Sequence, residues 1–138
     1  MALTLLVVDD HPSLCRLLQL IVAEDDRFGT CLTAQSGEDA VHHAREHQPD
    51  VVLLDADLGG QDGLALVPTL REASHGLVVA VFSSTAYVSP VIAERAGADT
   101  FIPKGTDLDE LLDQLAALAT KDRTIELRDP VEALQRPA

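Results

Sequence analysis

Residues 49–63 open on Pro49-Asp50, run apolar through Val51-Val52-Leu53-Leu54, stop on Asp55, and pass into a loop holding Gly59, Gly60 and Gly63. A short apolar run bounded by turn signals reads as a buried strand, and burial on both faces is the mark of a parallel sheet. The pattern recurs on either side. Leu3–Val8, apolar except for Thr4, ends at Asp9-Asp10-His11-Pro12, and Leu77–Phe82 ends at Ser83-Ser84-Thr85. Two weaker strands complete the set: Thr30–Ala34, polar enough for a sheet edge, and Thr100–Ile102.

Helical spacing fills the gaps between these runs. Pro12 suits a first helical turn. Leu14, Leu17, Leu18, Ile21 and Val22 follow at i, i+3, i+4, i+7 and i+8, which predicts one buried stripe ended by Asp25-Asp26. Ser36 with Asp39 resembles a capping box, opening a helix to about His47. Further helices are expected at about Leu64–Glu72 and Pro90–Ala96. Thr106 and Asp109 form another capping pair, before a stripe of Leu108, Leu111, Leu112, Leu115 and Leu118.

Five alternating strand–helix units predict an α/β domain with a five-stranded parallel sheet, doubly wound as (βα)5. The pattern fades after Ala119, so the domain is expected to span residues 1–120. Residues 121–138 read as a tail, either a linker or an accessory helix, with room for a turn or two at Pro130–Gln135. That tail holds four basic and four acidic side chains, so the whole net charge of −13 lies in residues 1–120.

At 138 residues, 46% hydrophobic and 24% charged, the chain has the make-up of one globular domain. Its longest apolar run falls far short of the roughly 20 residues a membrane helix needs. The opening Met-Ala-Leu-Thr carries no basic residue, unlike a signal peptide, so a cytoplasmic location without membrane contact is expected. Ten basic against 23 acidic residues repel phosphate backbones, and direct nucleic-acid binding is not expected. Cys15 and Cys31 are too few for a disulfide framework and lack metal-ligand spacing. They read as reduced packing residues, with one disulfide as the alternative. His43 and His47 stand four apart but have no third ligand beside them, so a solvated helix face is the expectation.

In an open parallel sheet, ligands bind beyond the carboxyl ends of the strands. The strand-end residues here are Asp9, Asp10, Asp55, Ser83 and Lys104. Converging carboxylates repel one another unless a cation sits between them. Oxygen-only ligands favour a hard ion such as Mg²⁺. Lys104, the only lysine before residue 121, brings a second positive charge, and Ser83 a hydroxyl donor. Nucleophile, metal, cation and donor together fit phosphoryl transfer to a carboxylate.

Val7-Val8-Asp9-Asp10-His11-Pro12, Val51-Val52-Leu53-Leu54-Asp55, Val81-Phe82-Ser83 and Gly97-Ala98-Asp99-Thr100-Phe101-Ile102-Pro103-Lys104 resemble, in order and approximate spacing, the receiver domain of bacterial response regulators. Asp62-Gly63 resembles that family's loop, and the resemblance covers residues 3–120. The Asp-Asp-His-Pro start resembles the NarL/FixJ/LuxR-type subgroup, whose receivers usually precede a helix-turn-helix domain; no such domain is expected in this chain. The resemblance implies a flavodoxin-like, CheY-like fold with strand order 2-1-3-4-5. It implies that Asp55 is the phosphoacceptor, attacking a phosphohistidine on a sensor histidine kinase or phosphotransfer protein. Asp9 and Asp10 would hold Mg²⁺ with Asp55 and the backbone carbonyl of Asp57. Ser83 and Lys104 would contact the phosphoryl oxygens, and Phe101 would be the aromatic switch, turning inward as Ser83 moves. The added charge would bias a surface of the fourth helix, fifth strand and fifth helix. A homodimer through the fourth and fifth helices, or through the first, also follows, as does weak self-dephosphorylation in place of metabolic catalysis.

Three departures from the family pattern carry expectations of their own. Gly105 follows Lys104 where proline is common, permitting the turn through glycine freedom. Gly59 replaces a common proline. Asp57 is expected to add a fourth carboxylate at the cleft. Two rival functions stand beside the receiver. Leu53-Leu54-Asp55-Ala56-Asp57 also resembles the paired-aspartate motif of haloacid-dehalogenase-like phosphatases, with Asp55 as nucleophile and Asp57 as general acid. The other rival is a phosphorylation-independent interaction module with a relic site.

Overall fold

The computed structural model describes residues 2–126, with side chains through residue 120. In chain order the elements are β1 (Leu3–Val8), α1 (Pro12–Ala23), β2 (Phe28–Ala34), α2 (Gly37–His47), β3 (Val51–Leu54), β4 (Asp57–Leu58), β5 (Gln61–Asp62), a 3₁₀ turn (Gly63–Leu66), α3 (Val67–Ala73), β6 (Val78–Ser83), α4 (Pro90–Arg95), β7 (Thr100–Pro103) and α5 (Leu108–Glu126). Five strands form one parallel sheet in the order β2-β1-β3-β6-β7. With the small antiparallel β4–β5 hairpin set aside, this is the expected 2-1-3-4-5 order.

Strand side chains alternate between two faces, and the core divides accordingly. Leu5, Val7, Val51, Leu53, Ala80 and Ile102 pack with Cys15, Leu18 and Val22 of α1 and Leu111 and Leu115 of α5. Leu6, Val8, Val52, Leu54, Val79 and Val81 pack on the opposite side with Ala40 and Ala44 of α2, Val67 and Leu70 of α3, and Ala93 of α4. The central strands β3 and β6 are therefore buried along their whole length, whereas the edge strands β2 and β7 carry exposed or half-buried positions.

The structure differs from the sequence reading at several edges. On α1 the buried arc is Cys15, Leu18 and Val22, with Leu14 and Ile21 half-buried and Leu17 43% exposed. Counting Cys15 as a packing residue turns the stripe away from Leu17, since each residue advances about 100° around a helix. Ser36 does cap α2, accepting from Asp39 N at 3.2 Å. The cap of α5 is Asp107 rather than Thr106, its carboxylate accepting from Asp109 N at 3.1 Å and Glu110 N at 3.4 Å. A carboxylate also suits the positive end of the helix dipole. α5 runs on to Glu126, past residue 120, where the apolar stripe of the sequence stops. Pro130–Gln135 lies outside the described residues. Cys15 and Cys31 are free thiols in the core on the α1/α5 side.

Candidate functional site: an acidic pocket at the strand ends

Val8 stands opposite Leu54 in the sheet, and Asp55 N donates to Val8 O at 2.9 Å. The next residues, Asp9 and Asp55, are therefore neighbours at the carboxyl ends of the two central strands, and both are buried. They continue the alternation of Val7 and Leu53 onto the α1/α5 face, as Lys104 continues that of Ile102. Lys104 Nζ donates to Asp9 Oδ2 at 2.8 Å and to Asp55 Oδ2 at 2.9 Å. Its own N–H donates to Ser83 O at 3.1 Å, and its ammonium lies 5.9 Å from the centre of the Phe82 ring.

The two carboxylates respond differently to this shared partner. Burial pushes Asp9 upward, but hydrogen bonds from Lys104 and His11 outweigh it and hold the group below the usual carboxylate range. Burial dominates at Asp55; the bonds from Lys104 and Asp57 N offset only part of it, the Asp9 charge adds to it, and the group is raised. Burial disfavours the Lys104 charge, yet hydrogen bonds to both carboxylates raise it above the usual lysine value.

Asp10 Oδ1 is buried with no hydrogen-bond partner. His11 Nδ1 lies 3.3 Å from it, outside hydrogen-bond geometry, and bonds instead to Asp9 Oδ1 at 2.7 Å. Ligand atoms of Asp9, Asp10, His11 and Asp55 all lie within 4.8 Å of one another. An unpaired buried carboxylate oxygen is costly, and three carboxylates outnumber the one ammonium. This pocket fits a hard divalent cation.

The β4–β5 hairpin forms the wall beside Asp55. Asp57 N donates to Asp55 Oδ1 at 3.1 Å. The Asp57 carboxylate turns away and accepts from Gly60 N at 3.0 Å, so it closes the hairpin and is not the expected fourth carboxylate of the cleft. Gly59 has φ +62°, a conformation proline cannot adopt. A Cβ on Gly63 would overlap the backbone carbonyl oxygen of Asp55, so the turn that follows the hairpin lies directly on the main chain of Asp55. Gly105, by contrast, is not among the glycines with positive φ and has open space around it. The turn after Lys104 does not use glycine's freedom.

Ser83 is buried at the end of β6, whereas Ser84 and Thr85 are exposed. Ser84 Oγ accepts from Ala86 N at 3.2 Å within a turn. Ser83 is in phase with Val81, which pairs with Phe101. Phe101 is half-buried against the core on the α2–α4 side and borders an open groove of about 480 Å³ with Pro90, Glu94 and Ala98. The rings of His43 and His47 are 5.7 Å apart, and no third ligand joins them among the described residues.

The family profile described as response regulator receiver domain matches residues 5–116. The chain belongs to that family. The receiver domain is 35% identical over 127 residues to the transcriptional regulatory protein KdpE of Mycobacterium tuberculosis, covering 91% of this chain and 55% of that protein. It is 30% identical over 123 residues to the nitrate/nitrite response regulator protein NarL of Escherichia coli, covering 88% and 57%. The receiver thus spans about half the length of the curated relatives it matches. Among solved structures, the receiver domain of a putative Luxo repressor protein from Vibrio parahaemolyticus shares its fold, with a TM-score of 0.80 at 20% identity and coverage of 92% and 97%. An N-terminal receiver domain from Bacteroides fragilis has a TM-score of 0.77 at 28% identity, covering 86% and 98%.

Family membership leaves the phosphatase reading without support, and so does the geometry, since the Asp57 carboxylate is engaged by Gly60 N. His11 is the pocket residue to which the sequence reading gave no role. The available signal was its adjacency to Asp9-Asp10; what the sequence does not display is that the ring folds back over them.

Proposed function

We propose that this receiver accepts a phosphoryl group on Asp55 from a phosphohistidine of a sensor histidine kinase or phosphotransfer protein. The observation that carries the reading is the Lys104 ammonium bridging Asp9 and Asp55 beside a buried Asp10 oxygen that has no hydrogen-bond partner. An Asp55 carboxylate oxygen attacks phosphorus, the phosphorus–nitrogen bond of the donor breaks, and the departing imidazole keeps the electron pair. Asp57 N orients the attacking carboxylate. Asp9, Asp10 and Asp55, with the backbone carbonyl of Asp57, are the groups that would hold Mg²⁺, whose chemistry here is to neutralise charge on the transferring oxygens. Lys104 and the Ser83 hydroxyl receive phosphoryl oxygens, and positioning carries most of the rate.

The added charge of nearly −2 draws Ser83 and Lys104 toward it. Phe101, in the same layer as Ser83, turns inward and reports the change to the α4–β7–α5 surface. Partners are the phosphodonor protein and, through α4 and α5 or through α1, a second copy. The acidic balance supports no direct nucleic-acid contact. Self-dephosphorylation is weak, and the setting is cytoplasmic, in line with an opening unlike a signal peptide. Residues 1–120 carry the receiver unit, and 121–138 are a tail whose first residues continue α5. Among the described residues no helix is long and apolar enough to cross a membrane.

Incubation with acetyl phosphate and Mg²⁺, read by intact mass, tests the reading. A single phosphoryl adduct that needs Mg²⁺ and disappears in Asp55→Asn is expected. No adduct in the wild-type protein would favour the relic interaction module.

A further inference from the structure

His11 is the N-cap residue of α1, with extended φ −95° and ψ 104°, yet its side chain makes no capping hydrogen bond. Cap positions favour Ser, Thr, Asp or Asn because short side chains reach the free N–H groups of the first turn. Capping does not account for this imidazole. Its Nδ1 lies 2.7 Å from Asp9 Oδ1 and 3.3 Å from Asp10 Oδ1, and the latter oxygen is buried without a hydrogen-bond partner. Adjacent ligands on an octahedral ion with bonds of about 2.1 Å stand roughly 3 Å apart. The nitrogen's distances to the two oxygens, 2.7 and 3.3 Å, lie on either side of that spacing, so replacing the hydrogen bond to Asp9 with a shared ion needs shifts of only a few tenths of an ångström. An exposed His–Asp pair is worth little and would leave the Asp10 oxygen unexplained.

Resting on the reading of this pocket as a cation site, we propose that His11 Nδ1 is a nitrogen ligand of that site and biases it toward Mn²⁺ over Mg²⁺. Carboxylate oxygen serves both ions, but imidazole is a softer donor, and Mn²⁺ stands closer than Mg²⁺ to the metals it suits. Lys104 occupies Asp9 Oδ2, and the His11 backbone N–H donates to Asp9 Oδ1 at 2.9 Å, so the ion would take the remaining lone pair of Oδ1 beside the imidazole. Coordination through Nδ1 uses the neutral ring and leaves Nε2–H for solvent, which a 63% exposed side chain allows.

Calorimetric titration of the full chain with Mn²⁺ and Mg²⁺, together with pulsed electron paramagnetic resonance of the Mn²⁺ complex, tests this. The wild-type protein is expected to bind both ions at one site, with nitrogen hyperfine modulation on bound Mn²⁺. His11→Ala should abolish the modulation and weaken Mn²⁺ about tenfold, while Mg²⁺ shifts less than about threefold. His11→Gln, of similar polarity, should also lack the modulation. Modulation that survives in His11→Ala, or equal weakening of both ions, overturns the proposal and leaves the cation site standing. Tighter binding of both ions in His11→Ala would make the imidazole a competitor and overturns it as well. Absence of any binding by the wild-type protein overturns the proposal together with the cation site on which it rests.

Discussion

The two loops that border Asp55 are built on opposite plans. The segment after β3 is set by backbone sterics: Gly59 and Gly60 take positive φ, the Asp57 carboxylate holds the turn, and Gly63 has no room for a Cβ against Asp55 O. The segment after β7 is set by charge: Lys104 is held by two carboxylates and a strand hydrogen bond, and Gly105 beside it meets nothing. Asp55, the proposed acceptor, is thus positioned by the fold and the ammonium facing it by electrostatics. Substitutions on the first side should register as packing damage, and on the second as unbalanced charge.

The largest effect belongs to the steric wall. Gly63→Ala should cost about 3 kcal/mol or more, because the clash is with backbone that no rotamer change relieves; a denaturation midpoint close to that of the wild-type protein would show that the hairpin can yield. Next is the charged wall. Lys104→Ala leaves Asp9 and Asp55 buried without their ammonium and should cost about 2 kcal/mol in the absence of divalent ions, less than for a fully buried pair. Added Mg²⁺ should restore more stability to this variant than to the wild-type protein.

A smaller effect distinguishes the two carboxylates by pH. Asp9 is held below its ordinary value, so its contribution is complete above the unfolded carboxylate pKa and is lost as pH falls through the folded one. Asp55 is raised, so its charge lowers stability at neutral pH and is relieved as pH falls through its folded pKa. Asp55→Asn should therefore raise the thermal midpoint at neutral pH without Mg²⁺, and the gain should vanish below the unfolded carboxylate pKa. A gain that persists there would point to packing rather than charge. The smallest effect is at Gly105. Gly105→Ala should stabilise the fold by about 0.4–1 kcal/mol through the unfolded chain, with adduct formation unchanged; a loss would mean that the turn needs glycine after all.

Much of this was legible in the sequence. Val51–Leu54 and Leu3–Val8 are apolar on both faces, so their strands and the polar residues that end them could be placed from pattern alone. Asp9 and Asp55 converge because each follows such a run by one step of the strand period, and Lys104 stands in the same phase after Ile102 of the weaker strand Thr100–Pro103. What escaped the pattern depends on turns. The β4–β5 hairpin rests on dihedral angles at Gly59 and Gly60, and the Asp57 carboxylate follows that turn rather than the cleft. Leu17 reads as core because periodicity does not fix the phase of a stripe when a neighbouring cysteine also packs. Asp107 took the cap from Thr106 by one residue, within the usual uncertainty of helix ends. His11 was visible as a residue, but its ring direction depends on an extended cap conformation that spacing does not encode.

Locating the phosphoryl group tests the central claim most directly: borohydride trapping after reaction with acetyl phosphate and Mg²⁺, followed by peptide mapping. Modification of Asp55 alone is the predicted result. A group found on Asp9, Asp10 or Asp57 instead would contradict the assignment of the acceptor.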